Sequence, residues 1–229
     1  MLRKWKNLPA FMRTKEVRPY YDILRKHQIA LLMKRTFDYV MSSFLLLLLS
    51  PAFLILATWI KLDSPGTVFY RQERVTQYGR LFFIYKFRTM VMNADRRGSL
   101  VTIDRDPRIT KAGCFLRKYR LDELPQLINI WKGEMSFVGT RPEVTKYVKE
   151  YTKEMCATLL LPAGVTSEAS IRYKDEALLL DDAERAEVDR VYMEQVLPDK
   201  MKWNLHSMKD FSVLQEFTIL WKTIGAVVR

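Results

Sequence analysis

Two adjacent carboxylates, Asp122 and Glu123, stand in the run Leu121–Trp131, close behind Lys118 and Arg120. A carboxylate can attack an electrophilic phosphorus as a nucleophile while its neighbour holds a metal ion. The same pair has a purely structural account. Asp122 would cap a helix that tolerates Pro125 in its first turn, Glu123 would complement the helix dipole, and Leu124, Leu127, Ile128 and Trp131 would form one buried face. Upstream, strand alternation over Tyr85–Met90 puts Lys86 and Arg88 on one face, and two cations side by side suit a phosphate or simply a solvated surface. Downstream, Arg141 precedes Pro142 where a helix is expected to begin, so it would either assist helix amides in binding an anion or serve as an ion-pairing residue.

Composition narrows the alternatives. The eight glycines include no G-x-G pair and no G-x-x-x-x-G-K-[ST] run, which removes the dinucleotide and nucleotide-loop fingerprints. Cys114 and Cys156 form no C-x-x-C, and His27 and His206 are the only histidines, so zinc ribbons, disulfide frameworks and histidine relays have little to draw on. Any chemistry falls to carboxylates. The net charge is 38 − 26 = +12. Residues 1–36 hold ten basic and two acidic side chains, whereas residues 136–229 hold thirteen and fifteen. The cations flank one apolar segment, a pattern that favours anionic lipids or phosphates.

That segment, Val40–Ile60, has 21 residues without a charge. At a rise of about 1.5 Å per residue it just matches a hydrocarbon core of about 30 Å. It lies too far from the start to be read as a signal peptide. Pro51 interrupts it, and the Ser50 hydroxyl can satisfy the carbonyl that proline frees. Lys34 and Arg35 precede it and Lys61, Arg71, Arg74 and Arg80 follow, so neither flank is the less basic one. A kinked span and a helix that dips in and returns both fit. Tyr20, Ile23, Leu24, His27 and Leu31 predict an amphipathic membrane-surface helix, with His27 structural, behind a loosely ordered lipid-contacting arm at 1–19.

The remainder must position the charged residues. Val68–Tyr70 and Leu81–Phe87 predict a hairpin turning through Gln77–Arg80. Arg108–Tyr119 reads as a helix, and Gly133–Glu143 as a short buried strand, a glycine turn and a helix start. Asp175–Glu194 reads as an acid-rich helix, Leu197–Lys200 as a break, and Trp203–Val228 as a helix lying on the core or on a membrane. The expected fold class is α-rich α+β: a basic arm at 1–36, a membrane helix at 37–62 and a catalytic domain at 63–229.

The motifs occur in a telling order: Tyr-Lys-Phe-Arg-Thr-Met at 85–90, Asp-Pro-Arg-Ile-Thr at 106–110, Leu-Asp-Glu-Leu-Pro-Gln-Leu at 121–127, and Lys-Gly-Glu-Met-Ser-Phe-Val-Gly-x-Arg-Pro at 132–142. Over roughly residues 34–145 the chain resembles the bacterial sugar transferases, monotopic polyprenyl-phosphate phosphoglycosyl transferases that begin glycoconjugate assembly. The resemblance implies a re-entrant helix broken at Ser50-Pro51, a UDP-linked sugar donor, Mg²⁺ and a ping-pong course. Asp122 would attack the sugar-bearing phosphorus and expel UMP, and undecaprenyl phosphate would then take the phosphosugar. Glu123 would hold metal or move a proton, while Lys86, Arg88, Arg120 and Arg141 would neutralise phosphate charge. The implied setting is the cytoplasmic face of a bacterial inner membrane, with anionic lipids and no nucleic acid as partners. Two places depart from the family pattern: Thr140 stands where many members have proline, and residues 161–173 match only loosely. A UDP-releasing glycosyltransferase and a catalytically inactive membrane scaffold are the competing readings.

Overall fold

The computed structural model describes residues 2–94, 106–173 and 188–228. In chain order the helices are α1 (Arg18–Lys26), α2 (Gln28–Leu48), α3 (Ser50–Asp63), α4 (Lys111–Lys118), α5 (Gln126–Trp131), α6 (Thr145–Val148), α7 (Glu168–Arg172), α8 (Val188–Val191), α9 (Leu197–Lys209) and α10 (Val213–Val228). Strands β1 (Phe69–Val75) and β2 (Leu81–Phe87) form an antiparallel hairpin, while β3 (Met135–Val138) and β4 (Ala163–Thr166) pair in parallel. The architecture is helix-rich with two small sheets, as the α-rich α+β reading expects.

The apolar segment breaks where its sequence requires. The axes of α2 and α3 diverge by 61°, and the Ser50 hydroxyl donates to the Leu47 carbonyl at 2.8 Å. Among the described residues no single helix is long and apolar enough to cross a membrane, but this bent pair meets the test of length and composition together. The first half of α2 is fastened to β3 by polar side chains. Lys34 donates to the Val138 carbonyl at 2.7 Å, Arg35 donates to Gly133 at 2.9 Å, and buried Asp38 accepts from the Phe137 amide at 3.1 Å. Beyond that face the pair exposes Phe44, Leu47, Leu48, Leu54 and Ile55.

The hairpin matches its expectation, with β1 running on to Val75 and closing the register Phe69↔Phe87 to Val75↔Leu81. The expected strand at 135–138 is present. Its partner β4 approaches so closely that a Cβ on Gly164 would collide with the Gly139 backbone, so only glycine fits at 164.

Several boundaries differ from expectation. The N-terminal arm is not a loose lipid-contacting tail: Leu8, Met12 and Val17 are buried with Tyr20, Tyr21 and Leu24 of α1 against Leu160, Leu205, Met208 and Phe211. Apolar residues scattered among cations still bury when a groove matches them. His27 is exposed at the junction of α1 and α2 rather than packed on an apolar face, and its ring nitrogen bonds the Ile23 carbonyl at 2.9 Å. The helix expected from Arg108 starts at Lys111, because Thr110 caps it by accepting from the Gly113 amide at 3.0 Å. Leu197–Lys200 is not a break. Pro198 sits at the start of α9, which follows directly on a π-helical turn at Tyr192–Val196, so the chain stays helical through the proline. The expected helix over 203–228 is instead divided between α9 and α10 around residues 210–212. Most of the expected acid-rich helix lies outside the described residues.

Candidate active site

Leu121–Glu123 is a single turn of 3₁₀-helix, and α5 begins only at Gln126 with Pro125 as its cap residue. Asp122 is therefore not the helix cap expected from sequence. The chain arrives through Arg120 in the left-handed conformation, φ +53°, which reverses it out of α4. The later start also rotates α5: Leu127 and Ile130 point inward, whereas Trp131 is 54 % exposed. Leu121 and Leu124, the apolar brackets of the two acids, pack against a cluster of Leu56, Ile60, Phe87 and Leu116. The turn is thus held between the apolar helix α3 and the end of β2.

The two carboxylates have unlike surroundings. Glu123 receives Lys86 Nζ at 3.0 Å on Oε1, and Arg141 donates to both of its oxygens, Nη1 reaching Oε2 at 3.3 Å. Burial acts to raise the Glu123 pKa, but Arg141 and Lys86 outweigh it and hold the carboxyl well below the usual carboxylate range. Asp122 makes no hydrogen bond or ion pair among the described residues. Its pKa is raised, by burial first and by the Glu123 charge, against the pull of Lys86 and Arg117. One acid is a fixed anion between two cations. The other is half-buried and unbonded.

Lys86 and Arg141 thus converge on the acid pair. Arg141 lies in an extended loop rather than at a helix start, since α6 begins at Thr145. That loop is anchored by Arg74, which donates to the Pro142 carbonyl at 3.1 Å, and by buried Glu143, which accepts from Tyr192 at 2.6 Å. Arg88 does not join the group. It is 4 % exposed, and its guanidinium donates to the carbonyls of Ser64 at 2.7 Å, Ile60 at 3.3 Å and Pro65. It fastens the end of α3 to β2, because β2 ends at Phe87 and the alternation that would keep Arg88 beside Lys86 ends with it.

A cavity of about 440 Å³ opens beside the acid turn. Glu123, Arg120 and Arg141 supply its charged lining. Leu45 and Leu49 at the α2–α3 break, Leu127 and Ile130 of α5, Phe137, Val165 and Ile224 supply apolar wall. Asp122 stands outside that lining. These walls come from segments up to about 180 residues apart, which is why sequence reading did not find the cavity. Gln126, also in its lining, carried only the signal of an amide in an otherwise apolar run.

Residues 29–229 match the family described as bacterial sugar transferase. Among curated relatives, the chain is 33 % identical over 199 residues to the UDP-N-acetylgalactosamine-undecaprenyl-phosphate N-acetylgalactosaminephosphotransferase of Aeromonas hydrophila, covering 86 % of this chain and 44 % of that protein. It is 39 % identical over 197 residues to the UDP-glucose:undecaprenyl-phosphate glucose-1-phosphate transferase of Escherichia coli K12, covering 84 % and 39 %. It is 33 % identical over 209 residues to the exopolysaccharide production protein ExoY of Sinorhizobium fredii, covering 85 % and 84 %. The chain spans less than half the length of the first two relatives and most of the third. With its acid turn, converging cations and broken apolar helix inside the matched residues, the chain belongs to the bacterial sugar transferase family.

Proposed function

We propose that this chain transfers a sugar 1-phosphate from a UDP-sugar to undecaprenyl phosphate, as the first membrane step of a polysaccharide. The observation that carries the reading is the inequality of the acid pair: Asp122 unbonded, and Glu123 clamped by Lys86 and Arg141 at the edge of an apolar cavity that reaches the α2–α3 break. An Asp122 oxygen attacks the sugar-bearing phosphorus, the phosphoanhydride bond to UMP breaks, and an acyl phosphate forms. An oxygen of the acceptor phosphate then attacks the same phosphorus, forms the new anhydride and returns the Asp122 carboxylate. Lys86 and Arg141 offset the charge that gathers when a carboxylate and phosphoanions meet.

Mg²⁺ commonly takes one or two carboxylates and completes its shell with substrate phosphate and water, and Glu123, whose two oxygens are held by Lys86 and Arg141, would have to give up part of that contact to bind it. Glu123 would hold it, and the ion would supply further neutralisation of the diphosphate. The cavity fits the acceptor: isoprene units against leucine and phenylalanine, the phosphate toward Arg120 and Arg141. In this reading α2 and α3 form a re-entrant membrane anchor with the site on the cytoplasmic face. Cysteines placed at residues 37 and 62 would then both react from the cytoplasmic side, and labelling from opposite sides excludes re-entry.

The test of the reaction is the leaving group. Purified protein with Mg²⁺ and undecaprenyl phosphate is given a panel of UDP-sugars, and UMP and UDP are measured separately. UMP from one or more donors is expected. UDP release would identify a glycosyltransferase instead.

A further inference from the structure

One polar side chain bordering the cavity is buried without a hydrogen-bond partner and has no part in the proposed chemistry. Gln126, the first residue of α5, is 1 % exposed and borders the cavity, yet neither its amide nitrogen nor its amide oxygen has a hydrogen-bond partner among the described residues. A buried amide without partners gives up its hydration with nothing in exchange and so destabilises the fold. The same helix shows how such an amide is normally accommodated. Asn129, one turn on and fully buried, donates to the Phe83 carbonyl at 2.8 Å and to Glu134 at 2.7 Å, and accepts from the Tyr85 amide at 2.9 Å. One amide stitches α5 to β2, and the other is left open.

Gln126 lies three residues after Glu123, and both border the cavity along with Arg120 and Arg141. The rest of the lining is mostly apolar, which does not suit the hydroxyl-rich surface of a sugar. It suits a lipid chain ending in one compact polar group.

We propose that Gln126 is a binding contact for the phosphate head of the lipid acceptor, juxtaposed with Arg120 and Arg141 at the charged end of the cavity. Its amide N–H₂ donates to a non-bridging phosphate oxygen, and its amide oxygen accepts from the hydroxyl of the phosphate monoanion. Arginines offer donors only, whereas the amide adds an acceptor, so it can read the protonated oxygen of the phosphate and fix how the group is turned toward the phosphosugar. This inference rests on the transferase reading for its ligand.

Gln126→Leu and Gln126→Glu are compared with the wild type in the full chain. Removing an unbonded buried amide leaves the melting temperature of the Leu variant equal to or above that of the wild type. The KM for undecaprenyl phosphate rises about tenfold or more, as expected for the loss of both hydrogen bonds, while the KM for the donor stays the same. The Glu variant loses more, because a carboxylate repels the phosphate. Farnesyl phosphate, in the absence of donor, raises the melting temperature of the wild type and not of the Leu variant. A lowered melting temperature in Gln126→Leu without ligand would overturn the proposal in favour of a structural amide. A change in donor KM in place of acceptor KM would overturn it in favour of a donor contact. Should the wild type release no UMP, the transferase reading fails by itself. The farnesyl phosphate shift then still decides whether Gln126 holds a lipid phosphate.

Discussion

Lys86 and Arg88 leave the end of β2 two residues apart, and the regions they serve treat charge in opposite ways. At the junction of α3 with the hairpin, Arg88 is buried with its terminal nitrogens committed to the carbonyls of Ile60, Ser64 and Pro65. No phosphate can reach it without dismantling the end of the helix. At the acid turn, Lys86 and Arg141 meet Glu123 and leave Asp122 unbonded. A cation held by a carboxylate at the edge of a cavity can share its hydrogens with an incoming phosphate, whereas a cation enclosed by backbone carbonyls holds the fold. Residue type made the two equivalent, and burial separates them.

The largest expected effect belongs to the open member of the acid pair. Asp122→Asn should lower turnover by about 10³-fold or more, since an amide is no nucleophile toward phosphorus. Its melting temperature should stay near that of the wild type, because Asp122 has no bond to lose. Turnover within tenfold of wild type would remove Asp122 from the mechanism. Next, Arg141→Met should lower kcat/KM by about 10²-fold, the typical loss of one preorganised charge-stabilising group. Arg88→Met sharpens the contrast by inverting it. It should destabilise the fold by about 3 kcal/mol, by leaving buried carbonyls unpaired, with the kcat/KM of the folded fraction changed only a few-fold. A well-folded Arg88→Met protein that fails to bind donor would erase the distinction between the two regions.

The smallest effect is one of pH. On the proposed course Asp122 must be ionised to attack, and burial together with the Glu123 charge raises its pKa. Activity should therefore fall on acidification at a pH above the ordinary aspartate range of about 3.9, while Glu123, held low by Arg141 and Lys86, stays ionised. The acid limb of kcat/KM, measured in buffers of matched ionic strength, reports this directly. A limb at or below the ordinary value would place Asp122 in a more polar setting than its packing implies.

Much of the local structure was legible in the residues. The hairpin declared itself through two β-rich runs about a glycine turn, and the helix break through Ser50-Pro51. The acid pair with Lys86 and Arg141 was legible as a set of types in order, although the order alone did not say which cation would arrive. What stayed hidden depends on contacts between distant segments. The burial of Met12 and Val17 depends on a groove made by residues near 160 and 205–211. The pairing of β3 with β4 depends on Gly139 and Gly164 meeting back to back. The cavity depends on α2, α5, β4 and α10 enclosing one space. Asp122 looked like a helix cap because aspartate is a preferred cap residue and Pro125 suits a first helical turn. The reversal at Arg120 made a separate turn instead.

The account centres on Asp122 carrying the sugar phosphate, and the most direct measurement is to stop the reaction halfway. Full-length protein in nanodiscs, given its UDP-sugar donor and Mg²⁺ but no polyprenyl phosphate, is acid-quenched, digested and weighed peptide by peptide. The expected result is a phosphosugar mass on the peptide containing Asp122, with one UMP released per site, and loss of that mass when undecaprenyl phosphate is added before the quench. An unmodified Asp122 peptide, with UMP appearing only once acceptor is present, would mean direct transfer between the two substrates and would contradict the covalent course.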